Sequence, residues 1–544
     1  MKRRRTRGRL ADTQQVALGL TIDGSARPAP ELAPVEQATR FARESPVFLG
    51  NQSVADYLED TKQSLPLELK RLVSALDFSK LSRPAQTGRL PIHPRVFIAL
   101  IVYGLLNRRT SLRELELLAR VDLGAMHLCG GLQPDHSTIG RFIAERQETL
   151  SETFFVEVTA SLAKRLDISA GHAAIDGTIV QAVASSYGTM KLEAARAHAD
   201  ELAREAREEP ENKPLQKTAA RAAEAVELGD ARAVARKSRG SAAENTRVSP
   251  TEPEAVSQAL KQGGIAPSYK PSMLADESGL ICGQAVDPSS ESAVVATLLD
   301  QHKLVLGEAP ESLSADAGYS NETTYTAALA RDVNLLVPAG REGAKGMKRV
   351  HANGRISKDD FHYDEASDTF VCPARKVLVV IEQSTDKGRP YTKYAAGKAD
   401  CGACPVKSKC TAAAARSIKR YAIDELKEAM AGILAHQQAR QIYSRRKVII
   451  ETRNSALKER QGLRRFRRRG LTGVRVEFAL HCLAHNLGLA ARRLGAAGFA
   501  ALLRLLTPLI CVSRAVAWPL GTTPRPRRPA PDSFLLLAPT VSSI

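Results

Sequence analysis

Asp176, Asp316 and Glu451 are the residues of this chain whose type and setting could do chemistry together. Each sits in its own short motif: Ala-Ala-Ile-Asp-Gly-Thr (173–178), Ser-Ala-Asp-Ala-Gly-Tyr (314–319) and Tyr-Ser-Arg-Arg-Lys-Val-Ile-Ile-Glu (443–451). Water cleaves a phosphodiester only with an activated nucleophile and a neutralised leaving oxygen, and two divalent cations about 3.5–4 Å apart supply both. Mg²⁺ takes carboxylate and water oxygens and needs only one or two protein carboxylates per ion. Two aspartates and a glutamate are a sufficient set if the fold brings them together. Taken singly, each has a plainer reading: Asp176 and Asp316 as turn residues after strands, Glu451 as an ion-pair partner among arginines.

Glu451 is read as opening an intensely basic helix that also carries Tyr443, Arg446 and Lys458. The segment continues through Arg464, Arg465, Arg467, Arg468 and Arg469. So many cations beside one carboxylate fit a phosphate backbone lying between them, with Arg446 and Lys458 as positioning contacts. The alternative is a solvated charged helix, in which Arg464 to Arg469 repel one another.

Four cysteines form a second constellation: Cys372, then Cys401, Cys404 and Cys410. Cys-Gly-Ala-Cys with a further cysteine six residues on can reach one tetrahedral zinc ion. The competing readings are a redox pair and inert buried thiols.

These residues need elements to position them. The segment 170–184 is short and β-branched, as a buried strand is, and Asp316 follows another strand. A hairpin over 271–286 turns at Asp276-Glu-Ser-Gly279, a helix is expected over 293–306, and strands alternating with helices predict an α/β core. Before it, apolar residues at helical spacing (Leu67, Leu69, Leu72, Leu76; Val96, Leu100, Val102, Leu106) predict an all-α region. Within that region Pro134 to Phe142 reads as a turn and a helix capped by Ser137 or Asp135, carrying Arg141 and Arg146. It suits the second helix of a helix-turn-helix or ordinary packing equally.

The resulting layout is a disordered basic arm (1–45), a helical DNA-binding region (46–168) and the first part of a catalytic core (169–343) with a helical insert (190–245). A β-rich cysteine-bearing insert (344–419), C-terminal catalytic helices (420–494) and a tail (495–544) follow.

Composition agrees with a polyanionic partner. The 544 residues carry a net charge of +19, and Lys2, Arg3, Arg4, Arg5, Arg7 and Arg9 crowd the N-terminus; clustered cations release counterions when they neutralise phosphates. The most apolar stretch, 499–512, is shorter than the ~20 residues a membrane helix needs and contains Arg504. No membrane contact and a cytoplasmic, nucleoid-associated location are expected.

Taken together the motifs resemble the DDE transposases of bacterial insertion sequences. The resemblance covers residues 46–494: His93-Pro94, Pro134 to Phe142, Ile175-Asp-Gly-Thr178, Ala315 to Tyr319, the Tyr443/Arg446/Glu451/Lys458 helix, Arg465 to Leu471, and Glu477 to Asn486-Leu487. Cys-Pro at 372 and Cys-x-x-Cys-Pro at 401 look like the cysteine-bearing insert of one branch.

The resemblance implies a ribonuclease-H-like α/β core interrupted by an insert. It implies Asp176, Asp316 and Glu451 as a triad for Mg²⁺ or Mn²⁺, and DNA handling by Tyr443, Arg446 and Lys458. The implied partners are double-stranded DNA, at element ends and target, and a second copy of the chain. The spacing from Arg446 to Glu451 is one residue longer than the family's commonest, and Asn454-Ser455 stands where an aromatic-Gly pair is usual. The rival readings are a catalytically inactive DNA-binding remnant and a metal-dependent nuclease without strand transfer.

Overall fold

The computed structural model describes residues 41–82, 90–238, 241–260, 262–338, 356–386 and 389–515. The basic arm to residue 40 and the end of the tail beyond 515 lie outside these residues. Contacts divide the chain into two units, Met1–Arg492 and Arg493–Ile544, and the elements below belong to the first, apart from the end of its last helix.

Helices dominate from Val54 to Arg165, among them α1 (Pro94–Leu106), α2 (His136–Ala144) and α3 (Thr153–Arg165). The hydrophobic α1 is buried along nearly its whole length, so it forms the centre of this region. Asp135, not Ser137, caps α2: its side chain accepts the Thr138 amide at 2.8 Å. Arg141 is exposed on α2. Arg146 is occupied within the chain, donating from Nε to the Leu81 carbonyl at 2.6 Å and lying 4.9 Å from the Phe142 ring centroid.

Next comes a mixed sheet. Its strands are β1 (His172–Gly177), β2 (Val180–Gln181), β3 (Val256–Ala259), β4 (Ile265–Asp276), β5 (Ile281–Asp287), β6 (Ser312–Ser314) and β7 (Asn334–Leu336). The spatial order is β7-β6-β1-β4-β5. β7, β6 and β1 run parallel; β4 is antiparallel to β1 and to β5. The first half of the long β4 pairs instead with β2 and β3.

Small or apolar residues let β1 be covered on both faces: Ala173, Ala174 and Ile175 are each 0 % exposed. Helix α6 (Val295–Leu306) packs on this sheet through Val295, Leu298 and Leu299, and Tyr319 and Tyr325 complete the same core.

His172 makes the β1–β6 pairing specific. Its Nδ1 lies 2.8 Å from Ser312 Oγ and its Nε2 lies 3.2 Å from Ser314 Oγ. Burial pushes its pKa below the usual histidine value, so a neutral ring bridges two residues on one face of β6. A slip by one residue would break both contacts and turn the strand over.

Between β1 and β4 the expected helical insert forms a hairpin of α4 (Leu192–Glu208) and α5 (Lys213–Ser238). Its core is small, with Leu192, Ala195, Ala225 and Val248, and Arg196 pairs with Asp230 across it. After β7 a second, antiparallel sheet runs in order β8 (His362–Asp364), β9 (Thr369–Val371), β10 (Val377–Asp386), β11 (Arg389–Ala396) and β12 (Ser417–Tyr421).

The chain then turns helical again and ends in α7 (Gly470–Ala515). Asn486, 0 % exposed, attaches α7 to the sheet. Its Oδ1 accepts the Ile281 amide at 2.9 Å, and its Nδ2 donates to the Ile281 carbonyl at 2.9 Å and to Thr159 Oγ1 on α3 at 3.3 Å. The side chain thereby replaces a missing neighbour strand for one residue of β5. Asn486→Ala strands both buried Ile281 backbone groups, at roughly 1–3 kcal/mol each. A loss of about 2–4 kcal/mol in urea unfolding is expected.

Candidate active site

Ser314 of β6 stands opposite Ala174 of β1. Carrying that register two residues on sets Asp316 beside Asp176, at the C-terminal ends of adjacent parallel strands. Open α/β sheets place their ligand sites outside such ends. Both aspartates are partly exposed. Asp316 caps the short turn Ala317–Tyr319, accepting the Gly318 amide at 2.9 Å.

Glu451 reaches this region from a helical run, which it does not open. A helix over Gln437–Ser444 leads into a π-helical turn, Lys447–Glu451, followed by α-helical Thr452–Ser455 and a second π-helical turn, Ala456–Arg460. Ile449 and Ile450 are buried and fix the first π turn against β1 and β4, while Glu451 is exposed. A π turn bonds i to i+5 and so absorbs one residue more than an α turn.

One turn after Glu451, Asn454 donates from Nδ2 to Asp176 Oδ2 at 2.8 Å. This contact ties the helical run to the sheet acid directly. Asn454 appears in the sequence only as a departure from a family pattern, and nothing in the local sequence points at Asp176. Further along, Lys458 Nζ donates to the Ile179 carbonyl at 3.4 Å.

Arg453 grips the β4–β5 turn, donating from Nε to the Gly279 carbonyl at 3.3 Å, and His485 Nε2 lies 3.1 Å from the same oxygen. Gly279 has φ +88, and a Cβ there would collide with the Arg453 guanidinium. Only glycine suits both demands.

Tyr443 is half-buried, and burial raises its pKa against the pull of the neighbouring Arg446; Asp316 also bears on it. An Arg446 terminal nitrogen, the Asn454 Oδ1, the Ser272 hydroxyl and the Tyr319 hydroxyl are buried without a hydrogen-bond partner. Tyr319 is 0 % exposed; burial and then Glu291, Asp176 and Asp316 hold its hydroxyl in the protonated form.

Asp176 and Asp316 supply the hard oxygens that Mg²⁺ prefers, and two carboxylates are enough when substrate phosphate completes the shell. Among the described residues no three His, Cys, Asp or Glu side chains are gathered closely enough to hold an ion as they stand. The pair therefore fits a divalent cation, and Glu451 does not stand in a ready-made triad with it.

The arginines beyond the helical run have partners of their own. Arg464 forks onto both Glu459 oxygens at 2.7 Å. Arg465 donates from Nε to the Ala182 carbonyl at 2.9 Å and also reaches the Val183 carbonyl. Arg467 Nε donates to Thr110 Oγ1 at 2.6 Å. Arg468 is largely enclosed near Glu477, whereas Arg469 is exposed. Gln181 donates to the Arg464 carbonyl at 3.3 Å and accepts the Phe466 amide at 2.8 Å, so this segment extends the sheet beside β2. Mutual repulsion without an anion does not describe the group.

The four cysteines face one cavity but, as they stand, are not gathered closely enough to hold an ion. Cys372, Cys401, Cys404 and Cys410 line a single cavity of about 30 Å³. The Lys376 amide donates to Cys372 Sγ at 3.2 Å and the Arg416 amide to Cys401 Sγ at 3.4 Å. All cysteines of the described residues are free thiols.

Comparison with known families adds two matches. Residues 371–489 match a transposase DDE domain, and residues 56–145 match a transposase domain known as DUF772. Both matches are to transposase domains and indicate a DDE-type transposase of insertion sequences. A search of curated proteins finds no match. The first match spans strands β10–β12 of the cysteine-bearing sheet, the Glu451 helical run and Asn486; the second spans most of the N-terminal helices. Divalent metal is general to this family, and no helix of the described residues is long and apolar enough to cross a membrane.

Glu477 holds the basic segment in place, accepting the Arg467 amide at 3.0 Å and the Arg468 amide at 2.9 Å. Burial pushes its carboxyl up to about 7 against the pull of those amides and arginines. The folded state then keeps a proton that the unfolded chain releases near 4.5, so the Glu477 contribution to stability falls as pH rises from about 4.5 to about 7. The melting temperature of the wild type relative to Glu477→Gln should therefore fall across that range, whatever the buried histidines add to both proteins.

Proposed function

We propose that this transposase cuts its element's ends by divalent-metal-dependent phosphodiester hydrolysis and then joins the freed 3′ ends to target DNA. The observation that carries the reading is that Asp176, on β1, and Asp316, two residues past β6, follow paired positions at the C-terminal ends of adjacent parallel strands. The strand order β7-β6-β1-β4-β5, with only β1, β6 and β7 parallel, supports a ribonuclease-H-like core, and the sheet β8–β12 is its insert. Bound cations would lower the pKa of the attacking water and neutralise the leaving oxygen.

In the first step a water oxygen bonds to phosphorus and the P–O3′ bond breaks, leaving a 3′-hydroxyl. In the second, that hydroxyl oxygen attacks a target phosphorus and one target P–O bond breaks. Asp176 and Asp316 hold the cation, Asn454 orients Asp176, and Glu451 closes on the site when DNA phosphate is present. Tyr443, Arg446, Lys458 and the exposed Arg469 contact the DNA backbone, and the paired arginines shape the surface around them. Two ends must be held together for joining, so the active form is a dimer or larger.

Asp176→Asn, Asp316→Asn and Glu451→Gln should each cut Mg²⁺-dependent end cleavage by roughly 10³-fold or more while end binding persists. Unchanged cleavage by Asp176→Asn would sink the reading. A joining assay with pre-cut ends decides against a simple nuclease if joined product forms, and a wild-type chain that binds ends without cutting them is a remnant.

The cysteine cavity belongs to the same proposal as a structural zinc site. The core beneath it is small, with Phe361, Phe370, Leu378, Tyr394, Ala396 and Ile418, and small modules commonly need such a staple. Backbone amides already aimed at two of the sulfurs would complement zinc-bound sulfur. Metal analysis of purified protein should find about one zinc per chain, lost together with thermal stability in Cys401→Ser/Cys404→Ser. Metal-free protein with normal melting refutes the site.

A further inference from the structure

Glu291, in the loop between β5 and α6, is an acid that no motif marks. A Cβ on Gly177 would lie 2.4 Å from Glu291 Cγ and 2.7 Å from its Cδ. The Glu291 side chain therefore lies directly against the backbone that follows Asp176, and the glycine after that acid is what admits it. Lys270 Nζ sits 3.2 Å from Glu291 Oε1 and offsets part of its charge. The next residue, Ser292, accepts from Asn321 Nδ2 at 2.6 Å. That bond ties the Glu291 loop to the loop that follows Asp316.

A second observation points to a ligand. Tyr319 is 0 % exposed and its hydroxyl meets only the neighbouring Ser272 hydroxyl, in a geometry that satisfies neither, although Glu291, Asp176 and Asp316 all lie within electrostatic reach of it. A buried donor left unpaired costs about 1–3 kcal/mol. Its natural acceptor is a carboxylate or water oxygen drawn into place when a cation loads the aspartates.

We propose that Glu291 is a positioning residue of the acidic site, acting with the Tyr319 hydroxyl to orient Asp176 and Asp316 for a divalent cation. The proposal rests on the reading of those aspartates as the cation-holding pair. Glu291 adds negative charge behind that pair without itself ligating the ion, and Tyr319 supplies a further hydrogen bond to a carboxylate once the ion is bound, beside those from Asn454 and the Gly318 amide. Partners of this kind set ligand orientation and typically alter metal affinity 10–100-fold when removed.

The test is Mn²⁺ binding to the full chain without DNA, followed by electron paramagnetic resonance of free Mn²⁺, alongside melting curves. Glu291→Gln is expected to weaken Mn²⁺ about tenfold, Glu291→Asp to restore most of it, and Asp176→Asn to abolish it. If Glu291→Gln does not fold, Gly177→Ala, which displaces the Glu291 side chain, is expected to give the same loss. Wild-type Mn²⁺ affinity in folded Glu291→Gln or Gly177→Ala, with binding lost in Asp176→Asn, overturns the role of Glu291 and leaves the aspartates standing. Wild-type affinity in Asp176→Asn overturns the aspartate reading itself, and this proposal with it.

Discussion

Parallel pairing of β1 with β6 sets Asp316 beside Asp176, and His172 holds that pairing at one register through Ser312 and Ser314. Parallel strands cannot be joined by a tight turn, so more than a hundred residues run between them. That interval supplies the helical hairpin, the antiparallel arm β4–β5 and helix α6. It also supplies Lys270, Ser272 and Glu291, which surround the strand ends. A side-chain period of two means that any slip of β6 would send Asp316 to the opposite face. The neutral, buried imidazole is therefore a structural part of the acidic site although it touches neither acid.

The third acid is attached by a different set of bonds. Asn486 completes the edge of β5, Arg453 and His485 hold the Gly279 turn, and Asn454 reaches Asp176. Each is a polar side chain bonded to a backbone group or a carboxylate, which makes the docking specific. Between these anchors the helical run passes through two π turns. Such turns weaken helix hydrogen bonding and recur at functional sites. Here the first one lies between Arg446 and Glu451.

Charge follows the same pattern of internal use. Arg464, Arg465, Arg467 and Arg468 look in sequence like a patch waiting for an anion, yet they are engaged by Glu459, by the backbone after β2, by Thr110 and by the surroundings of Glu477. A guanidinium has five donors in a fixed fork, so one arginine can brace the fold and still present donors outward. Basic composition identified the partner class correctly at the level of the family, but which arginines remain free to meet DNA is a matter of local packing.

Local pattern alone carried much of this protein: the helical N-terminal region from apolar spacing, the strand leading to Asp176, the Gly279 hairpin, α6, and the two aspartate motifs. These are legible because strand alternation, helix periodicity and turn residues are properties of neighbouring positions. Asn454 and Glu291 were not legible. Their partners lie more than a hundred residues away, and the single glycine that admits Glu291 looks like any turn residue after a strand. The sequence by itself determined the family, the alternation of elements and the acids available. Tertiary structure decided which acids share a register, where the helical run docks and which cations are already taken, because those follow from contacts between segments distant along the chain.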